Sequence, residues 1–313
     1  NTMPQWVGSS WYFLRYVDNH NDKELASKEA LKKWMPVDLY VGGIEHAVLH
    51  LLYARVYTKF LYDIGVVDFD EPFTRLFNQG MITKNGAKMS KSVGNVVSPD
   101  ELVEKYGCDS LRMYELFVGP PELDSDWDDS GIDGVFRYLN KVWKLVATYK
   151  DNTIAETKDM AFIRNKLIYE ITSRLEALTM NTVVSGFMEY TNKIVDIAKK
   201  ENGIDKTTLE TLIILLAPFT PHIAEELWQE MGHTTSVFAE KWPICDETKL
   251  KTDTIEIALQ VNGKFRENLV IGAEDSKETV LTKAKEVLAS RLEGKTVVKE
   301  IYVPAKIVNI VVK

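Results

Sequence analysis

The pattern of apolar and polar positions changes character twice along the 313-residue chain. Over residues 1–125 short apolar runs alternate with helical periodicity and glycine punctuation, as in an α/β domain. Val37 to Val41 reads as a buried strand. Gly42-Gly43 follows it, and an apolar-rich helix is expected from about Ile44 to Asp63, with Gly65 past its end. Leu76 to Ile82 reads as a second strand. Ser98-Pro99-Asp100-Glu101 predicts a helix start, with Ser at the cap, Pro in the first turn and carboxylates facing the positive end of the helix dipole. Gly107 ends that helix, and another opens at Asp109 and runs to about Phe117.

Residues 126–240 predict almost continuous helix, in segments 131–149, 160–180, 185–201 and 206–230. Short polar breaks between amphipathic helices give an antiparallel bundle. Pro218 and Pro221 put a kink in the last segment. Residues 241–253 read as a linker. From 254 the period becomes two: Ile257, Leu259 and Val261 alternate with polar positions, and Asn262-Gly263 is a hairpin turn. A helix over 276–291 and strands over 297–303 and 306–312 complete a small β-β-α-β-β domain, 254–313. The expected fold is therefore multi-domain: α/β, then all-α, then α+β.

Charge sharpens this division. The whole chain carries −8, but residues 251–313 hold 11 Lys/Arg against 9 Asp/Glu, so the rest carries −10. A mildly basic tail on an acidic body can still engage phosphates locally, and it also suits a solvated surface. Two cysteines, Cys108 and Cys245, exclude a disulfide framework and a four-cysteine zinc site, so no structural zinc is expected. No apolar run approaches membrane-spanning length and no signal peptide opens the chain, so a cytoplasmic protein is expected. Because the first residue is Asn1 and not Met, the start reads as a processed or truncated end.

Four stretches carry candidate chemistry. Lys88-Met89-Ser90-Lys91-Ser92 lies between Asn85-Gly86 and Gly94. Two ammonium groups and two hydroxyls in a loop suit a polyphosphate, whose charge builds as pyrophosphate leaves, although a solvated Lys/Ser loop has the same composition. Gly42-Gly43-Ile44-Glu45-His46-Ala47-Val48-Leu49-His50 follows a strand, at the edge where doubly wound sheets bind ligands. The glycines admit close approach of a ligand. His46 and His50, four apart, would share a helix face, but no third metal ligand lies nearby and no metal site is expected. Trp6 to Tyr16 holds five aromatics in eleven residues, as either core or pocket. Leu215 to Trp228 reads as a packed helical corner, and the acids Glu122, Asp124, Asp126, Asp128 and Asp129 as a solvated connector.

Taken in order, these stretches resemble leucyl-tRNA synthetases of the bacterial type, across essentially the whole chain. The KMSKS string is the class I synthetase signature. GGIEHAVLH and SSWYFLRY are similar to strings of the leucine enzymes. Leu215-Leu216-Ala217-Pro218-Phe219-Thr220-Pro221-His222 is similar to their anticodon-binding bundle, and the ending Tyr302 to Lys313 to their C-terminal domain. The resemblance implies that residues 1–125 are the second half of a Rossmann-like catalytic domain, 126–240 an anticodon-binding bundle and 254–313 a tRNA-binding domain. It implies ATP binding by Gly42, Gly43, Glu45, Gly80, Met81, Ile82, Lys88, Met89, Ser90, Lys91 and Ser92, with Lys88 and Lys91 acting on the phosphates. Glu45 would meet the ribose, and Gly80-Met81-Ile82 would lie near the adenine. Trp6, Ser9, Tyr12, His46 and His50 would line a leucine pocket.

The implied partners are tRNA(Leu), leucine and ATP with Mg2+. None of the five histidines sits in an HIGH-type string. That half of the site, and an editing domain, would precede Asn1 or belong to a partner subunit. Valine, isoleucine and methionine enzymes share KMSKS and a helical bundle, and a non-catalytic tRNA-binding subunit is a further alternative.

Overall fold

The computed structural model describes residues 6–250, 254–272, 275–304 and 306–313. The N-terminal part begins with two short helices, α1 (Trp6–Ser9) and α2 (Tyr12–Tyr16), then α3 (Lys28–Trp34). Strand β1 (Tyr40–Gly43) leads through a 3-10 turn, Ile44–His46, to α4 (His50–Asp63). Strand β2 (Leu76–Gln79) pairs parallel with β1, Tyr40 opposite Leu76 and Gly43 opposite Gln79. Phe13, Leu14, Leu31, Ala54, Leu61 and Val67 form the core beneath them.

Two expectations need correcting here. The helix foreseen from Ile44 starts at His50, so Glu45 and His46 stand on a separate turn that carries the chain off the strand end. The strand foreseen over Leu76 to Ile82 breaks at Gly80-Met81 into β2 and β3 (Ile82–Lys84). The reason is a close approach. A Cβ on Gly80 would collide with the main chain at Leu123 and Asp124, and the Gly80 N–H is spent on the Pro121 carbonyl at 2.9 Å.

Beyond the break, β3 turns through Asn85-Gly86, both at positive φ, into β4 (Ala87–Lys88). Helices α5 (Pro99–Tyr106) and α6 (Cys108–Phe117) follow, then the two-residue strand β5 (Ser125–Asp126). The sheet order is β4-β3-β5. Ser98 stands at the cap position of α5 as expected, but its side chain makes no capping hydrogen bond.

The bundle comprises α7 (Gly131–Tyr149), α8 (Lys158–Glu176), α9 (Met180–Glu201), α10 (Lys206–Leu216) and α11 (Pro221–Glu230). On α7, Ile132, Val135, Leu139, Val142 and Val146 are buried at spacings of three and four, which is the core-facing stripe of a 3.6-residue helix. Thr157 and Asp205 cap α8 and α10 by accepting from the N–H three residues on. The segment foreseen as one kinked helix over 206–230 is two helices. Pro218 cannot donate to the helix ladder, and Pro221 opens α11 in its first turn. Helices α5 and α6 add Tyr106, Leu111, Met113 and Tyr114 to the same core.

The foreseen linker packs where it is described. Trp242 Nε1 donates to Thr172 Oγ1 at 2.9 Å, and Asp246 N donates to Asn165 Oδ1 at 2.7 Å, so residues 242–246 lie along α8. Residues 251–253 of it lie outside the described residues.

The last part contains β6 (Thr254–Val261), β7 (Lys264–Gly272), α12 (Lys277–Val287), α13 (Ala289–Leu292), β8 (Val297–Val303) and β9 (Ile307–Val312). Its sheet order is β7-β6-β9-β8, with β6 and β9 parallel. Val280, Ala284 and Leu288 cover Ile257, Leu259, Val308 and Ile310. Among the described residues no helix is long and apolar enough to cross a membrane.

Phe187, fully buried on α9 and edge-on to Phe219 at 5.4 Å, sits at the centre of the bundle. Phe187→Ala is expected to destabilise the bundle by about 3–5 kcal/mol, through lost transfer energy plus the cavity left behind. Urea unfolding followed by circular dichroism checks this; a loss below about 1 kcal/mol would contradict the packing.

Candidate active site

The carboxyl end of β1 carries the first candidate site. A cavity of about 280 Å³ is lined by Trp6, Ser9, Tyr12, Tyr40, Val41, Gly42, Gly43, His46, His50 and Leu51. Two stretches 28 residues apart in sequence converge there because α1 and α2 lie against the start of α4 and the end of β1. All five residues expected to hold an amino acid, Trp6, Ser9, Tyr12, His46 and His50, line this one cavity.

The polar groups inside it form a relay. Tyr12 Oη and Tyr40 Oη are 2.7 Å apart, and Tyr40 Oη is 2.6 Å from His50 Nε2. Tyr40 stacks on Phe73 at 3.9 Å, which fixes its ring. Burial, and then the Tyr12 hydroxyl, push the Tyr40 phenol well above its usual range, so it keeps its proton. His50 moves the other way. Burial disfavours its charged form, the neighbouring His46 adds to this, and the Ser9 main chain offsets part of it. The relay is therefore a neutral arrangement. Trp6 meets the His46 ring edge-on at 5.9 Å, and His46 Nδ1 is buried with no hydrogen-bond partner, which leaves a polar atom free at the cavity.

Gly42 and Gly43 contribute differently. Nothing lies within 4 Å of a Cβ placed on Gly42, whereas one on Gly43 would run into the Glu45 carboxylate. Glu45 itself is exposed and stands outside the cavity lining.

The KMSKS residues form a second locus. Asn95 organises the loop from within: its Oδ1 accepts from Ser90 N at 2.8 Å and its Nδ2 donates to the Lys88 carbonyl at 3.2 Å. Ser90 Oγ and Ser92 Oγ are 2.7 Å apart. Gly94 N donates to the Ser90 carbonyl at 3.0 Å, closing a turn that Gly94 can enter because its φ is +75°. Lys88 and Lys91 are both exposed, and among the described residues neither takes part in an ion pair. Met89 points inward, lining a largely apolar cavity of about 320 Å³ with Ile82, Val97, Leu102, Leu111 and Trp127.

Among the described residues, no hydrogen bond, ion pair or ring contact joins the loop to the β1 cavity. No three His, Cys, Asp or Glu residues come together as a metal site there either.

The connector is exposed to solvent, as expected, and several of its acids are also bonded to the chain. Asp124 Oδ1 accepts from Met81 N at 2.7 Å, Asp126 Oδ1 from Thr83 Oγ1 at 2.7 Å and from Gly86 N at 3.0 Å, and Asp129 pairs with Lys84 at 2.9 Å. These partners lie about forty residues away, so local composition held no sign of them. Tyr40 also went unassigned, although its place just before Gly42-Gly43 at a ligand-facing strand edge was a usable signal. His222, in the packed corner, is exposed and bonds through Nδ1 to the buried Asp109 at 2.8 Å, whose other oxygen accepts from Ile223 N.

With this geometry established, comparison with known proteins is direct. Residues 5–128 match the family of class I tRNA synthetases for isoleucine, leucine, methionine and valine. Residues 160–281 match the anticodon-binding domain of tRNA ligases. Catalytic and tRNA-binding parts thus occur together, in the order of a class I synthetase. The whole chain also superposes on the agnB2 LeuRS of Agrobacterium radiobacter K84, solved as a ternary complex with tRNA and LeuAMS, at 35% identity and a TM-score of 0.80. It covers 42% of that protein's length. Methionyl-tRNA synthetase of Mycobacterium tuberculosis, in complex with methionyl-adenylate, shares the fold over 75% of this chain and 51% of its own, with 20% identity and a TM-score of 0.56. The chain belongs to the class I aminoacyl-tRNA synthetases, in their leucyl-tRNA synthetase branch.

The His50 environment predicts its titration. The folded-state value lies below the unfolded one of about 6.5, so its contribution to stability is complete above that pH and is lost as pH falls toward the folded value. Proton NMR of the imidazole should give a midpoint below about 6.5. His46→Ala should raise it, because the neighbouring imidazole that adds to the lowering is gone. A wild-type midpoint at or above the ordinary value would contradict the arrangement.

Proposed function

We propose that the chain supplies the KMSKS half of the active site, together with tRNA-binding domains, of a leucine-tRNA ligase. The observation carrying this is the convergence of Trp6, Ser9, Tyr12, His46 and His50 on one cavity at the end of a parallel strand pair. The cavity is small and mostly apolar, with a neutral relay at one wall, and it suits a branched aliphatic side chain. Full-length similarity to a LeuRS, against partial and weaker similarity to a methionine enzyme, supports leucine over the other class I substrates.

In the proposed reaction an oxygen of the leucine carboxylate attacks the α-phosphorus of ATP. The new P–O bond makes leucyl-adenylate, and the bond to the β-phosphate oxygen breaks to release pyrophosphate. A terminal ribose hydroxyl of tRNA(Leu) then attacks the leucyl carbonyl carbon, and AMP leaves. Lys88 and Lys91, exposed and unpaired, neutralise the charge that grows on the departing pyrophosphate. Ser90, Ser92 and the loop N–H groups orient its oxygens. Gly42 gives the nucleotide close access to the β1 end, Gly43 makes room for the Glu45 carboxylate, Glu45 takes the ribose, and Gly80-Met81-Ile82 line the adenine side. Magnesium, where present, arrives on the ATP phosphates.

The other half of the catalytic domain is a necessary partner in this reading. Val48, Leu52, Val56 and Phe60 leave an apolar stripe exposed along α4 and its approach, beside a parallel sheet of only two strands. Parallel sheets are normally covered on both faces. The expected result is that this chain alone supports no leucine-dependent pyrophosphate exchange, and that adding a protein bearing the HIGH half restores it. In the restored enzyme Lys88→Ala or Lys91→Ala should slow adenylate formation by about 10²-fold. Binding to purified tRNAs at one stated salt concentration tests the remainder: preference for leucine tRNA supports the reading, and equal binding to all of them reduces it to a phosphate-backbone interaction.

A further inference from the structure

The β3–β4 hairpin delivers the chain into the KMSKS loop, and the acidic segment 124–129 grips it from three sides. At its base, Asp124 accepts from Met81 N, while β5 pairs parallel with β3, Ile82 opposite Ser125 and Thr83 opposite Asp126. At its tip, the single oxygen Oδ1 of Asp126 holds both the Thr83 hydroxyl and the Gly86 N–H of the positive-φ turn. Along its flank, Asp129 binds Lys84 Nζ and accepts from Trp127 Nε1 at 2.9 Å. Each of these acids is taken up by a partner from the chain, and none is left to gather a cation.

The same segment is rooted in the bundle. Tyr114 Oη donates to the Asp128 carbonyl, Asp128 Oδ1 accepts from Ser130 N at 2.9 Å, and α7 begins at Gly131. Trp127 is buried in the bundle core, edge-on to Tyr114 at 5.0 Å. The hairpin is therefore attached to the first helix of the tRNA-binding bundle, not to the β1–β2 sheet.

We propose that Asp126 and Asp129 are positioning residues, which clamp the β3–β4 hairpin to the start of α7 and so set where Lys88 and Lys91 stand. What the lysines meet rests on the function proposed above; the clamp itself does not. Asp126 is held below the usual carboxylate range by the Gly86 N–H and then the Thr83 hydroxyl, and Asp129 chiefly by Lys84, so both stay ionised at neutral pH. Asp126→Asn keeps an oxygen that accepts from both donors, whereas Asp126→Ala removes the grip on the turn. The clamp also gives the bundle a route to the loop: a shift at the start of α7 moves the hairpin that carries Lys88.

Limited trypsin digestion of the whole chain reads this directly, because trypsin cuts after Lys88 and Lys91. Cleavage after Lys264, in the distant β6–β7 turn, serves as the internal reference. Asp126→Ala should speed cleavage after Lys88 and Lys91 by at least about tenfold, since it removes the acceptor of two hydrogen bonds and each bond to a charged group is worth about that factor or more. The Lys264 rate should not change. Asp126→Asn should stay near wild type, and Thr83→Val, which removes only the hydroxyl donor, should give a smaller rise. Equal rates in wild type and Asp126→Ala overturn the proposal, and so does an equal rise after Lys264, which means general unfolding. In the enzyme restored with the HIGH half, added ATP or pyrophosphate should protect the wild-type loop, and Asp126→Ala should need more of either for half-protection. Absence of protection in wild type, with cleavage still accelerated by Asp126→Ala, refutes the nucleotide reading and leaves the clamp standing.

Discussion

The architecture turns on one close main-chain approach, where Gly80 meets Leu123 and Asp124 with no room for a Cβ between them. Helices α1 to α4 with β1 and β2 share one core on the N-terminal side of that point, and β3 to β5 with α5 and α6 are attached to the bundle on the other. The contact is held by the Gly80 N–H on the Pro121 carbonyl and the Met81 N–H on Asp124. A larger residue at 80 would force two segments of main chain apart, and neither can yield as a flexible side-chain tip does. The break between β2 and β3, the attachment of the hairpin and the course of the KMSKS loop all follow from it.

The two candidate loci differ in their physics. The β1 cavity is aromatic and neutral, and a hydroxyl–hydroxyl–imidazole relay avoids leaving a charge in it. Such a lining discriminates by shape and by matched hydrogen bonds. The loop is the opposite: exposed ammonium groups over an apolar anchor, Met89, with internal order supplied by Asn95. Exposed lysines without carboxylate partners are available to a polyanion at no cost in broken ion pairs. On the proposed reading, side-chain recognition and charge neutralisation fall on different structural units of the chain.

Long elements were the most legible from sequence. The α7 stripe and the Asn262-Gly263 hairpin are local signals, a 3.6-residue period in one case and a two-residue turn in the other, and both lie where the pattern placed them. Five residues lining the β1 cavity could be named because their strings resemble known ones; periodicity would have assigned Trp6 and Tyr12 to a core. What sequence did not carry were bonds between distant positions. Asp126 meets Thr83 and Gly86, Asp109 meets His222 and Ile223, and residues 242–246 lie on α8, each through a partner chosen by tertiary packing. The start of α4 was misplaced for a related reason: apolar residues run unbroken from Ile44, but the turn off β1 needs a 3-10 step before the helix can align with the sheet.

The C-terminal sheet has its own logic. Its two inner strands, β6 and β9, come from opposite ends of the domain and run parallel, while each outer strand is paired through a tight reversal with an inner one. Both reversals close short loops, and only the β6–β9 seam closes a long one. Assembly of this domain is therefore governed by a single encounter between two preformed ribbons, with α12 carried on the connection between them. That seam is also the line along which the domain would part under load, since a pull on its two ends shears one four-residue ladder before it disturbs either hairpin.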